Sequence, residues 1–293
     1  MASMKDIKRR KESIQSTGQI TKAMKLVSTV KLQKAKGRAE NTQSYFNHMY
    51  AAVSSILSKS GDIDHPYLKP GDSKKKAVIL ITSNRGLAGG YNSNVIKLIT
   101  KGDFSKDDTV IYAVGTKGRD ALVRAGFEMK EDYSDVMNGP MFADAVDIGK
   151  AVLDGFANGE FGEIYVAYTV FKNTVTHIPT LLKLLPISAD HIEPASVGGE
   201  QPAGDDSISI MNFEPEEEEA LPVIIPKYIN SLVFGALIQA SASENGARMQ
   251  AMDNATSNAE EIIGKLELQY NRARQGAITQ ELTEIVAGAS ALE

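Results

Sequence analysis

Any chemistry in this chain would have to come from the segment Ser83-Asn-Arg-Gly-Leu-Ala-Gly-Gly-Tyr-Asn92. It lies between an apolar run and a helical pattern, where backbone N–H groups can hold an anion. Its spelling fits neither the phosphate loop, which needs Lys then Ser or Thr at its end, nor the dinucleotide G-x-G-x-x-G. The reading that remains is a structural turn built on Arg85, Gly86 and Gly89, with Gly86, Gly89 and Gly90 letting strand and helix pack closely. The four histidines (His48, His65, His177 and His191) are scattered. No H-E-x-x-H, no G-x-S-x-G and no paired-carboxylate motif occurs. With no Cys in the chain, disulfides, thiolate zinc sites and a Cys nucleophile are excluded, which fits a reducing compartment. The expectation is no catalytic residue, no cofactor and no metal.

Composition bounds the rest. An apolar fraction of 42% with 24% charged residues argues against wholesale disorder in these 293 residues. No apolar run approaches the roughly 20 residues needed to cross a bilayer, so no transmembrane segment is expected. The N-terminus is charged but lacks the apolar core of a secretion signal, and no organellar leader is recognisable. The net charge of −5 is unevenly spread. Residues 1–40 hold eleven Lys or Arg against three acids, a net of +8, and residues 190–220 hold ten acids and no base. Such segregation suggests docking faces.

The elements that must carry these faces follow from periodicity. From about Ser3 to Leu57 there is no Pro and many strong helix formers. In the second half of that helix Leu32, Ala35, Ala39, Thr42, Phe46, Met49, Val53 and Ile56 step by three and four, the coiled-coil rhythm. In the first half Ile7, Ile14, Ile20, Met24 and Val27 keep no such register. An alternating pattern follows a turn-rich break. It gives strands at 77–82 and 109–115, helices near 92–100, 118–125 and 142–156, and strands near 163–171 and 175–185. This predicts an α/β domain with a mostly parallel, Rossmann-like sheet. His177 and Pro179 favour an edge for its last strand. The stretch 190–226 reads as loop. After Pro226 a second seam runs from Ile238 to Tyr270 in steps of four and three, then slips by one residue near Arg274-Gln275-Gly276. The expected division is 1–60 as a first coiled-coil helix, 74–190 as the α/β domain, 191–226 as acidic linker, and 227–293 as a second helix antiparallel to the first.

Lengths give this plan a consequence. At about 1.5 Å per residue the two helices span roughly 80 and 95 Å, whereas a domain of about 150 residues is roughly 40 Å across. Part of the helical pair should project. Its tip, Ile285-Val-Ala-Gly-Ala-Ser-Ala-Leu-Glu293, has no charge before the last residue, so Ile285, Val286, Ala289 and Leu292 call for an apolar sleeve from another protein.

Three segments carry a family resemblance. Ile14-Gln-Ser-Thr-Gly-Gln-Ile-Thr-Lys-Ala-Met-Lys-Leu-Val-Ser-Thr-Val-Lys31, Arg85-Gly-Leu-Ala-Gly89 with Asn92, and Tyr270-Asn-Arg-Ala-Arg-Gln-Gly-Ala-Ile-Thr-Gln-Glu-Leu-Thr-Glu-Ile-Val-Ala-Gly-Ala resemble, in order, motifs of the gamma subunit of F-type ATP synthases. The resemblance implies a central-stalk rotor shaft of a bacterial enzyme, coupling ion-driven c-ring rotation to ATP synthesis or hydrolysis in an alpha/beta head. The subunit itself would be non-catalytic. Its partners would be alpha and beta subunits in a 3:3:1 head, the epsilon subunit and the c-ring, with no nucleic acid. Met24 and Lys25 would meet the lever region of a beta subunit, Arg274 and Gln275 would make polar contacts to beta-subunit loops, and Phe213 and Glu214 would form a foot near the c-ring and epsilon. The place would be peripheral, on the cytoplasmic side of the cell inner membrane. Two rival readings are a phosphate-binding α/β enzyme with dimerising helical arms and a free coiled-coil scaffold.

Overall fold

The computed structural model describes residues 4–59, 65–187 and 217–290. They fold into two compact units, 1–27 with 249–293, and 28–248. Helices α1 (Met4–Lys59) and α5 (Glu217–Ser290) contribute to both.

The larger unit is built on a five-stranded sheet. Its elements run β1 (Lys76–Ile81), α2 (Tyr91–Thr100), β2 (Thr109–Val114), α3 (Thr116–Ala125), β3 (Glu128–Asp132), α4 (Phe142–Ala157), β4 (Glu163–Phe171) and β5 (His177–Leu185). Strand order is β3-β2-β1-β4-β5, with every pairing parallel except β4 with β5. The central strands are apolar throughout because both faces are covered. On one face Val78, Leu80, Ile111 and Ala113 pack with Val95 and Ile99 of α2 and Leu122 of α3. On the other, Ile79, Ile81, Tyr112 and Val114 pack with Ile148 and Val152 of α4, Ile229, Val233 and Leu237 of α5, and Ala39, Phe46 and Val53 of α1. β5 is the edge strand that His177 and Pro179 require, and β3 is an edge strand with no counterpart in the periodicity.

The linker expectation needs correcting at its end. Helix α5 starts at Glu217, with Pro222 and Pro226 inside it, so 217–226 is helix rather than loop. A proline in a helix interior costs about 3 kcal/mol or more. Burial of Leu221, Ile225, Tyr228 and Ile229 on the sheet offsets it, and Pro222 lies exposed, where its freed backbone groups can meet water. By length and composition α5 also passes as able to cross a membrane, against the expectation above. The residues that make it so apolar, including Val233, Leu237, Ile238 and Ala240, are buried in the core of this unit.

A half-buried imidazole sits at the start of the edge strand β5. His177 stacks near Phe171 with ring centroids 5.9 Å apart, its Nε2 is buried without a partner, and it faces Gly246 of α5 so closely that a Cβ there would sit 2.7 Å from it. The Lys36 ammonium lies 5.4 Å from the centre of the same Phe171 ring. Burial holds the His177 pKa below its ordinary 6.5. A depressed folded-state value means that the stabilisation from neutral His177 is complete above about pH 6.5 and is lost as pH falls through the folded value. The melting temperature should therefore drop on acidification more steeply than in His177→Phe, which can be read by scanning both proteins from pH 8 to pH 5.

The smaller unit is an antiparallel helix pair. Lys11 Nζ meets Glu267 at 2.6 Å, Thr21 Oγ1 meets Thr256 Oγ1 at 2.7 Å, and Lys25 Nζ meets Asp253 at 2.6 Å. As numbering rises on α1 it falls on α5. Here the structure revises the expected seam. Ile7, Lys11, Ile14, Gly18, Thr21 and Lys25, stepping by four and three, are buried or half-buried, with Met4 and Met24 half-buried beside them, while Ile20 and Val27 face outward at 58% exposure each. The register is regular, but beyond Ile7 and Ile14 small and polar residues fill it. A Cβ on Gly18 would lie 3.4 Å from that of Ala259, so the helices approach closely at this level. On α5 the opposing seam is Met252, Thr256, Ala259, Ile263 and Leu266.

Candidate functional site

The glycine-rich turn sits after β1, where open α/β sheets bind ligands, at the point where strand order reverses between β1 and β4. In this chain α5 occupies that crevice. Tyr91 Oη donates to the Ala240 carbonyl at 3.1 Å and Ser243 Oγ donates to the Thr169 carbonyl of β4 at 3.1 Å. Arg248 donates through Nη2 to the Arg85 carbonyl at 3.2 Å and through Nε to the Gly86 carbonyl at 3.3 Å. Burial drives the Tyr91 pKa well above the usual phenol range, with Glu244 adding to the effect. The turn is also satisfied internally. The Ser83 hydroxyl donates to the Arg85 carbonyl at 2.6 Å, and the Ser83 N–H donates to Asn92 Oδ1 at 2.9 Å.

The glycines act differently from expectation. A Cβ on Gly86 or Gly89 would meet open space, so neither serves close packing of strand on helix. At Gly90 the nearest neighbour of a Cβ would be the flexible Asn94 side chain, at 3.1 Å. Gly89 is needed for its φ of +56°, beside Leu87 at φ +62°. Arg85 and Gly86 are tied to the fold through their carbonyls.

Glu244 and Arg248 were not singled out by sequence reasoning. Their i, i+4 spacing in a stretch of helix otherwise free of charge was the available signal. Arg248 Nη1 lies 2.8 Å from Glu244 Oε1, with about a tenth of each side chain exposed. A cavity of about 250 Å³ opens beside them, lined by Lys31, Lys34 and Arg38 of α1, the 137–140 segment, and Ser241, Glu244 and Asn245 of α5. Among the described residues no group of acids and histidines could hold a metal ion.

The sequence-derived contact residues lie on helix surfaces. Met24 and Lys25 are half-buried on α1, and Lys25 makes the ion pair to Asp253. Arg274 and Gln275 are exposed on α5. Beyond Tyr270, Ile278, Leu282, Ile285 and Val286 are also exposed, at 49 to 64%. Ala289 lies within α5, with its side chain outside the described set, and Leu292, Phe213 and Glu214 fall outside the described residues. The structure thus brings Arg85 and Gly86 to Arg248, leaves Gly89 in the same turn at positive φ, and strings the other candidates along helices.

Comparison with known proteins gives a consistent set of similarities. The family model described as ATP synthase matches residues 3–292. The ATP synthase gamma chain of Lachnoclostridium phytofermentans is 65% identical, with all of both chains covered. The sodium ion specific ATP synthase gamma chain of Acetobacterium woodii is 42% identical over 99% of this chain and 98% of that one. Among solved structures, a chain of the Euglena gracilis mitochondrial ATP synthase aligns with a TM-score of 0.69 at 18% identity, covering 99% of this chain and 94% of its own. A chain of the Tetrahymena thermophila central stalk and c-ring aligns with a TM-score of 0.55 at 24% identity, covering 80% and 99%.

Proposed function

Since this chain belongs to the ATP synthase gamma-chain family, we propose that its exposed helix surfaces are the faces by which a turning shaft drives catalytic subunits. It is a non-catalytic central-stalk subunit of a rotary F-type ATP synthase, a membrane-associated complex that transports ions. The chemistry of ATP belongs to other subunits.

The observation that carries the finer reading is the last part of α5. From Ile278 to Val286 the large apolar side chains Ile278, Leu282, Ile285 and Val286 stand 49 to 64% exposed. Water is a poor surrounding for such a stripe, and an enclosing apolar sleeve resolves it. We assign that sleeve to a ring of three alpha and three beta subunits, which the tip Ile285, Val286, Ala289 and Leu292 enters. Met24 and Lys25 meet the lever region of a beta subunit, and Arg274 and Gln275 meet its loops. Phe213 and Glu214 face the c-ring and epsilon. A shaft that is not three-fold symmetric offers each catalytic site a different surface. Turning it shifts the three sites through different nucleotide affinities, because only differential contacts can move a conformational equilibrium. The working place is the cytoplasmic face of a bacterial inner membrane, as a peripheral component.

Reconstitution tests this directly. Mixed with its alpha and beta subunits, the chain should enter a complex of 3:3:1 stoichiometry on size analysis with mass detection. A stable homo-oligomer that ignores those subunits would favour the scaffold reading, and phosphate binding by the purified chain, lost in Arg85→Ala, would favour the enzyme reading.

A further inference from the structure

The geometry points to the Glu244–Arg248 pair as a latch that fixes helix α5 rotationally against the β1–α2 turn, so that torque crosses between the α/β sheet and the helix at Arg248. The inference rests on the coupling role proposed above and goes beyond it by naming a positioning residue that acts through contacts within this chain.

A helix packed only by apolar side chains can slip or roll at modest cost, because dispersion and burial are not directional. Directional contacts resist rolling. The sheet face under α5 is apolar, supplied by Ile79, Ile81 and Val114. The directional contacts from α5 to the strand ends are the Ser243 hydroxyl on Thr169, the Ala240 carbonyl under Tyr91, and the three-way engagement of Arg248. Among these contacts Arg248 supplies the charged donor. Its planar fork binds two successive carbonyls of the turn while Glu244 holds the remaining nitrogen, a geometry that a lysine cannot reproduce. Lys31 of α1 and Arg85 of the turn also bear electrostatically on Glu244, whose carboxyl is raised by burial against these cations. One acid on α5 thereby senses α1 and the turn together. The carbonyls of Arg85 and Gly86 are held beside two positive-φ residues, Leu87 and Gly89, so releasing them frees the tightest bend of the loop.

The test uses the full complex with alpha, beta, epsilon and c-ring partners in sealed vesicles, and reads ions moved per ATP hydrolysed. In Arg248→Met, which keeps length without donors, this ratio should fall about three-fold or more, within what the loss of charge-assisted contacts on a coupling element can cause. Arg248→Lys should recover part of the ratio, and amide exchange across 83–92 should quicken in step with the loss. Wild-type coupling in Arg248→Met, or unchanged exchange in the turn, would overturn the latch. If Arg248→Met does not assemble, Glu244→Gln and Arg248→Lys are read in its place, and wild-type ratios in both would overturn it equally. A wild-type complex that hydrolyses ATP without moving ions would instead overturn the coupling reading beneath it.

Discussion

Gly115→Ala should destabilise the α/β sheet by about 3 kcal/mol or more, one of the larger effects a single methyl group can have. Gly115 joins β2 to α3 at φ +114°, a region that L side chains rarely adopt. A Cβ there would lie 2.1 Å from the Thr82 carbonyl oxygen and 2.8 Å from Thr82 Oγ1. Neither can move aside. The Thr82 N–H donates to the Val114 carbonyl at 2.7 Å, its hydroxyl donates to the Gly115 carbonyl at 3.2 Å, and that hydroxyl also accepts from the Gly118 N–H at 2.9 Å. The substitution therefore breaks the junction of β1, β2 and α3 at once. Urea denaturation should show a much lower midpoint, whereas Gly86→Ala, with open space at its Cβ, should stay close to wild type. Equal midpoints for the two variants would contradict this account of the junction.

Arg274→Ala should leave the chain folded and reduce coupling in the assembled enzyme by about ten-fold, the lower end of what one charge-assisted hydrogen bond can contribute. Arg274 is exposed on α5, so removing it should take little from the fold. Melting of the isolated chain separates fold from function, and ATP-driven ion uptake by the complex reads the function. Unchanged uptake at unchanged assembly would remove Arg274 from the contact surface.

Much of the architecture was legible because apolar residues repeat with the period of their element. Strands β1, β2 and β4 announce themselves as runs of Val, Ile, Leu and Tyr buried on both faces. What escaped had other physical grounds. β3, Glu-Met-Lys-Glu-Asp, is mostly exposed at the sheet edge, so it carries no apolar signature. The first turns of α5 were hidden by two prolines whose local penalty is offset by burial, a tertiary effect that propensity does not contain. On α1 the apolar residues Ile20 and Val27 pull the eye from the true seam, in which Gly18 and Thr21 allow close approach and Thr21 satisfies Thr256. Arg248 matters through what it reaches across 162 positions of sequence, which no local window can contain. The candidate contact residues Arg274 and Gln275 were singled out from family motifs alone, and the structure leaves both exposed on α5.

The occupied crevice at the ends of β1 and β4 has a metabolic consequence. A diffusing nucleotide competing for that place would face a tenant that is tethered, and so present at very high effective concentration whatever the cell contains. Swings in cellular ATP or ADP should leave this part of the shaft untouched. A machine whose business is setting the ratio of those two molecules then carries a transmission that does not feel them.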